Sequence, residues 1–122
     1  MLIQKEVSHN KVTIKGYSPG VISMQSEDYR SPIVLTSETI SRFENDIEFN
    51  QLSAEVLLNL VAEDTEILII GSGAKHQLLP VEKVKALNDR GYAVESMSTR
   101  NACHTFQVLV HEYRKVVALL FP

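Results

Sequence analysis

The chain has 122 residues, of which 44% are hydrophobic and 22% are charged, and its net charge is −3 at pH 7. This composition predicts one globular domain over residues 1–122, and it lacks the basic surplus that nucleic-acid-binding proteins normally show. The apolar stretches are all shorter than the roughly 18 residues of a membrane-spanning helix, so no membrane insertion is expected.

Cysteine usage and the amino-terminal segment bear on the cellular compartment. Cys103 is the single cysteine, so the chain cannot form an internal disulfide, which suits a reducing compartment. Residues 1–10 hold an apolar run that is too short for a signal peptide, and they lack the Arg-rich composition of a transit peptide. We therefore expect a soluble, cytoplasmic protein.

The first third of the chain predicts β structure, because aliphatic and β-branched runs are separated by turn residues. Ser18-Pro19-Gly20 marks a turn, and Pro32 interrupts a strand because proline has no amide proton to donate. Residues 37–50 are polar with isolated apolar side chains, so they predict an irregular connection. The expected strands cover residues 12–16, 21–24 and 33–35.

The rest of the chain alternates helix and strand patterns. Ser53 predicts the N-cap of a helix over residues 52–64, Pro80 the first turn of a second helix, and Thr99 the cap of a third. Gly91 ends the second helix, as glycine commonly does. The inner face of that second helix is expected to comprise Val81, Val84 and Leu87.

One strand is predicted after each of these three helices. Residues 66–71 and 116–121 are continuous aliphatic runs, typical of strands that are buried on both faces, and residues 92–98 alternate. Right-handed crossovers through helices join parallel strands. The sequence therefore predicts an α/β fold with a mixed β-sheet, which has an antiparallel N-terminal half and a helix-strand-helix-strand-helix-strand C-terminal half.

The segment EILIIGSGAKHQ, residues 66–77, places Gly71-Ser72-Gly73 directly after a buried strand. It matches neither common phosphate-binding fingerprint, because His76 stands where a third glycine is needed and Lys75 comes too early for a Walker loop. One interpretation is that the glycines only turn the chain off the strand. The other is that backbone amides here, with Lys75, contact an anionic ligand at the carboxyl end of the sheet.

A second group of polar residues follows the next strand. Thr99 and Asn101 offer hydroxyl and amide groups, and Arg100 offers a guanidinium that could bind an anion. Cys103 lies near a helix start, where a thiol can become nucleophilic, but it also lies on the apolar stripe of that helix and is then a small buried hydrophobe. The candidate ligand-binding residues are Gly71, Ser72, Gly73, Lys75, Thr99, Arg100, Asn101 and Cys103.

The sequence predicts neither catalytic residues nor a metal site. The four histidines are dispersed, and no Cys/His spacing matches a zinc site. The acidic residues fall in polar connections or at helix ends, where carboxylates are usually solvated. We therefore expect no metal and no cofactor.

The ordered set of Gly71-Ser72-Gly73, Pro80, Gly91, Glu95 and Thr99, followed by an apolar carboxyl-terminal strand, resembles one known family. This is the family of mitochondrial complex I assembly factor three and the adipogenesis-associated domain proteins. The resemblance covers nearly the whole chain and is strongest over residues 66–122. It implies a compact three-layer α/β fold, and a surface cleft near the Gly-Ser-Gly loop and the start of the last helix.

Two hypotheses for function follow. The first is a non-enzymatic binding or assembly-type factor, which acts on a protein partner and which we also expect to form homodimers. The alternative is a protein that binds a small molecule or an anion, such as a nucleotide, or an enzyme. That alternative would use the cleft between the Gly71–Gly73 loop and the start of the last helix.

Overall fold

The computed structural model of the protein describes residues 12–122. The prediction about a signal peptide concerns residues 1–10 and lies outside this part of the chain, as does His9. Within residues 12–122 the backbone forms eight strands, three α-helices and one short 3-10 helix, Phe49–Gln51. The strands are β1 Ile14–Ser18, β2 Val21–Met24, β3 Asp28–Tyr29, β4 Ile33–Leu35, β5 Ile40–Arg42, β6 Ile67–Ser72, β7 Ala93–Met97 and β8 Val116–Phe121, and the helices are α1 Ala54–Leu58, α2 Val81–Asp89 and α3 Thr99–His111.

The strands form two sheets. The larger sheet has five strands in the order β5-β4-β8-β6-β7, in which β6 is parallel to both β7 and β8 while β4 is antiparallel to β5 and β8. The α/β prediction with its antiparallel and parallel halves is confirmed. The first three strands, however, form a separate antiparallel sheet in the order β1-β2-β3. Their apolar side chains pack on a face of the large sheet rather than extending its edge.

The large sheet is the middle of three layers. Side chains of β8 alternate between its faces: Ala118 and Leu120 face the small sheet and α3, whereas Val117 and Leu119 face α1 and α2. Both faces are apolar, which explains why β6 and β8 show continuous aliphatic runs instead of an alternating pattern. The three layers are therefore α3 with the small sheet, the five-stranded sheet, and α1 with α2.

Several local predictions were wrong at their boundaries. The first helix begins after its Ser53 cap as expected, but it ends at Leu58 rather than near residue 64. Residues 37–50 contain β5 and part of the 3-10 helix instead of an irregular connection. This segment is ordered because the rings of Phe43 and Phe49 each pack edge-on against Phe121, with centroids 6.3 Å apart.

The start of α2 also differs from its prediction. Pro80 is the N-cap residue, and the helix begins at Val81. The side chain of Val81 is 79% exposed, so it does not belong to the inner face. Leu87 is buried there, Val84 packs partly buried beside it, and Leu79 just before the helix supplies the apolar contact expected of Val81.

Candidate functional site

The carboxyl ends of β6 and β7 lie side by side, and they bring the two predicted polar segments together. The Gly73 amide donates a hydrogen bond to Thr99 Oγ1 at 2.8 Å, and the Thr99 amide donates to the Gly73 carbonyl at 2.9 Å. Adjacent parallel strands deliver their loops to the same edge of a sheet, so this juxtaposition follows from the topology. We call this region the carboxyl edge, defined by Gly71, Ser72, Gly73 and Thr99.

Thr99 is not the helix cap that its position predicted. Ser98 is the N-cap of α3, and its hydroxyl accepts a hydrogen bond from the Asn101 amide at 3.3 Å. Thr99 is instead fully buried, and its hydroxyl donates to the Phe121 carbonyl at 2.6 Å. A single hydroxyl therefore joins the loop after β6 to the end of β8, so both its donor and one acceptor position are used within the fold.

The two glycines of the loop are required for different reasons. Gly73 has a φ of 99°, in the left-handed region that favours glycine, and it turns the chain away from the strand. Gly71 lies within β6, and a Cβ there would come within 2.8 Å of Thr99 Oγ1 and 3.0 Å of Thr99 Cα. Gly71 thus allows the start of α3 to approach the central strand closely.

The Ser72 hydroxyl stabilises the loop because it both donates and accepts hydrogen bonds. Its hydroxyl lies 2.7 Å from the Lys75 carbonyl and 3.1 Å from the Met97 carbonyl, and it accepts from the Gln77 amide at 3.0 Å. The Gln77 side chain donates in turn to the Ser72 carbonyl at 3.1 Å. The Ser72 hydroxyl is therefore engaged by protein groups, which matches the interpretation of the Gly-Ser-Gly segment as a fixed turn.

Two of the remaining predicted residues, Arg100 and Cys103, have side chains that do not converge on this loop. Arg100 projects toward the small sheet, where its guanidinium lies 5.3 Å from the centre of the Tyr17 ring. Lys75 and Asn101 are exposed at the carboxyl edge. The structure thus unites Gly73 with Thr99 but separates them from Arg100 and Cys103. A ligand-binding role for any of these residues stays a prediction.

Cys103 lies in the core between α3 and the small sheet. It is 6% exposed, and burial raises the pKa of its thiol to about 11, an effect that the nearby Arg100 charge partly opposes. The thiol is therefore protonated at pH 7, whereas a nucleophilic cysteine needs a thiolate. This geometry agrees with the alternative in which Cys103 is a small buried hydrophobe.

Sequence reasoning missed the space between β1 and α3. A hollow of about 200 Å³ lies there, with Tyr17, Arg100, Cys103 and His104 among its lining residues. The Tyr17 hydroxyl donates to the Pro122 carbonyl at 3.2 Å, and burial raises the pKa of this phenol while the Arg100 charge opposes the rise. No local motif could have indicated this hollow, because its two walls are far apart in the sequence.

Residues 12–122 contain neither a cluster of metal ligands nor a membrane-spanning helix. No three side chains among His, Cys, Asp and Glu converge there in a way that could hold a metal ion. No helix in the same range has both the length and the hydropathy needed to cross a bilayer.

Solved structures define the class of fold. A Bordetella parapertussis protein of known crystal structure superposes with a TM-score of 0.80 at 29% identity, over 90% of this chain and 94% of that one. A Bordetella pertussis protein described as a Mth938-like domain superposes with a TM-score of 0.74 at 24% identity, over 93% of this chain and 87% of that one. The protein is therefore an α/β domain with the Mth938-like fold.

Sequence comparison gives the family. Residues 14–121 match the family described as protein of unknown function (DUF498/DUF598), and the chain belongs to that family. A Danio rerio relative named NADH dehydrogenase [ubiquinone] 1 alpha subcomplex assembly factor 3 is 34% identical over 99% of this chain and 70% of its own length. A Francisella tularensis relative named 13 kDa major membrane protein is 29% identical over 98% of both chains.

These comparisons confirm the predicted family and leave two other predictions open. The name of the Francisella relative places that protein in a membrane, so the cytoplasmic location of this chain stays a prediction. Self-association into a homodimer also stays a prediction, since a single chain is described.

Proposed function

We propose that this protein is an assembly-type factor that acts by binding another polypeptide and performs no reaction of its own. The observation that carries the proposal is the similarity to proteins named as complex I assembly factors, which extends over nearly the whole of this chain. The common region is the three-layer domain itself. The proposed protein-binding role therefore belongs to the surface of this domain.

The geometry of the carboxyl edge supports this proposal. In open α/β sheets this edge is the usual place for a ligand, and its glycines suggested an anion site. Here the hydroxyls of Ser72 and Thr99 are bound to protein carbonyls and amides. Polar groups that already satisfy each other contribute to architecture, which leaves recognition to other surfaces of the domain.

Affinity purification from the native host tests the proposal. The tagged chain is expressed near its natural level, crosslinked briefly, and purified beside the tag alone as control. We expect one polypeptide to copurify in a fixed molar ratio, measured by quantitative mass spectrometry. Recovery of the tagged chain without any partner in a fixed ratio would contradict the proposal.

A thermal-shift screen tests the rival hypothesis of a small anionic ligand. A ligand present at about 100 times its Kd stabilises a native protein by about 2.7 kcal/mol, which is several degrees in Tm for a domain of this size. We expect no shift with nucleotides or inorganic phosphate. A shift that disappears in the Lys75→Ala variant would overturn this expectation and favour an anion site at the carboxyl edge.

We further propose that the protein works in the cytoplasm. Cell fractionation is expected to leave the natural protein in the supernatant after ultracentrifugation. Sedimentation with membranes that persists in high salt would contradict this location and align the chain with its Francisella relative.

A further inference from the structure

Three neighbouring hollows follow the length of α3, and each shares lining residues with the next. The hollow of about 200 Å³ at Arg100 and His104 shares Gln107 with a second hollow of about 290 Å³. That second hollow shares Val110 and His111 with a third, of about 350 Å³, beyond the end of the helix. We call the combined surface the α3 trough.

The charges that line the α3 trough all have one sign. Its charged residues are Lys15, Arg100, Arg114 and Lys115, and no Asp or Glu lines it among residues 12–122. The chain as a whole has a net charge of −3. Four of the twelve Lys and Arg residues therefore lie on one surface that no described acidic side chain lines, and such a surface attracts an anionic partner.

Two of these cations are available to a partner. Arg114 pairs with Glu66 at 2.6 Å, and the same carboxylate accepts from the Lys115 amide at 3.1 Å and interacts with the Lys115 charge. Lys15 and Arg100 form no salt bridge within the described part of the chain. Arg100 is also held in place, because its guanidinium lies over the Tyr17 ring. A guanidinium positioned in advance loses less side-chain entropy when it binds a carboxylate.

The floor of the trough is apolar. Val12 and Phe106 are 5% and 1% exposed, and Val110 is partly buried beside them. Between the first two hollows the Gln107 side chain donates to the Ile14 carbonyl at 2.9 Å, which ties α3 to β1. The surface thus combines an apolar floor with a cationic rim, and it suits a partner that has both apolar and acidic groups.

We propose that the α3 trough is the docking surface for an acidic, partly apolar polypeptide segment in extended conformation, a proposal that rests on the protein-binding role given above. The 13 residues of α3 span about 20 Å, which is the length of about six extended residues. Nucleic acid fits less well, because the chain carries a net negative charge and the trough has an apolar floor.

Fluorescence anisotropy with a defined probe tests the proposal. The probe is a labelled peptide of about seven residues, in which glutamate alternates with leucine and phenylalanine. We expect binding that weakens as ionic strength rises toward about 0.15 M. The same peptide with glutamine in place of glutamate should bind at least about ten-fold more weakly, which corresponds to about 1.4 kcal/mol.

A matched pair of double variants locates the binding. Lys15→Gln with Arg100→Gln removes two cations from the trough, whereas Lys85→Gln with Arg90→Gln removes two from α2 and the residue that follows it, in the opposite layer. We expect the trough variant to bind the glutamate peptide about ten-fold more weakly and the α2 variant to bind within about two-fold of the unmodified protein. Equal weakening in both variants would overturn the proposal, because it would reflect net charge alone.

The same assay distinguishes the acidic peptide from two other possible ligands of the α3 trough. Tighter binding of a thymidine oligonucleotide than of the glutamate peptide would overturn the proposal in favour of nucleic acid. Peptide binding that occurs only after removal of residues 1–11 would also overturn it, and would assign the trough to the chain's own amino-terminal segment. Both measurements use the same anisotropy assay.

Affinity purification with the trough variant separates this inference from the proposed function. If the unmodified chain and the trough variant capture the same partner equally, the docking surface is wrong and the protein-binding role stands. If neither captures a partner while the peptide still binds in the trough, the assembly role is wrong and the acidic-segment site stands. Loss of the partner in the trough variant alone supports both.

Discussion

The carboxyl edge and the α3 trough both carry polar residues of α3, but they use them in opposite ways. At the carboxyl edge, Thr99 and Ser72 bind protein groups on every side. In the trough, Arg100 and Lys15 form no salt bridge within residues 12–122. Hydroxyls that look functional in sequence can thus be engaged by the fold, whereas two cations that line the trough stay unpaired within the described residues.

The largest expected effect comes from breaking the carboxyl edge at Thr99. Thr99→Val keeps the shape of the side chain but removes the hydroxyl that bridges Gly73 and the Phe121 carbonyl. Two groups then lose a partner, and we expect the free energy of unfolding to fall by about 2–4 kcal/mol. Urea denaturation measures this loss. Thr99→Ser, which keeps the hydroxyl, is the control and should retain most of the stability.

A somewhat smaller effect is expected from closing the space at Gly71. Gly71→Ala would place a methyl group within 3.0 Å of the Thr99 backbone, so strand and helix must move apart at a cost of about 1–3 kcal/mol. Gly16→Ala is the matched control, because nothing lies within 4 Å of a Cβ at that position. Equal midpoints of thermal unfolding for the two variants would show that the close approach is not needed.

Cys103 gives a smaller effect that depends on pH. Burial raises the pKa of its thiol from 9.0 to about 11, so the thiol ionises in the unfolded chain before it ionises in the folded protein. Its contribution to stability is complete below pH 9 and is lost as pH rises to about 11, at roughly 1 kcal/mol per pH unit. The stability difference between the natural chain and Cys103→Ala should shrink over this range. A constant difference would contradict the burial of the thiol.

The smallest expected loss of stability comes from removing two cations of the trough. Lys15→Gln with Arg100→Gln removes no salt bridge within the described residues, only the contact of Arg100 with the Tyr17 ring. We expect a loss of about 1 kcal/mol or less in urea denaturation. A loss as large as that of Thr99→Val would mean that the trough cations support the fold rather than a partner.

The sequence predicted the features that depend on nearby residues. The continuous aliphatic runs of β6 and β8 identified both central strands, and Ser53 and Gly91 marked helix boundaries correctly. Thr99 was misassigned by one position, because either Ser98 or Thr99 could cap a helix. The choice between them is made by the close contact of Thr99 with Gly71, which is a tertiary contact.

The trough could not be predicted from the sequence, because its walls come from the two ends of the chain. Gln107 and Ile14, which join these walls, are 93 positions apart. The cations themselves are scattered in sequence and become a single surface only when α3 packs on the small sheet. The sequence predicts one mixed sheet, but β1, β2 and β3 form a separate sheet. A prediction with a single sheet contains no surface between a small sheet and α3.

The Thr99 hydroxyl has a further consequence for how the protein opens. It connects the loop after β6, the start of α3 and the last residue of β8, so none of these can separate without breaking the same buried hydrogen bonds. These segments should therefore open as one cooperative unit rather than fray independently. In native-state hydrogen exchange, the amides of Gly73 and Thr99 are expected to exchange with equal free energies of opening, close to that of the parallel strands.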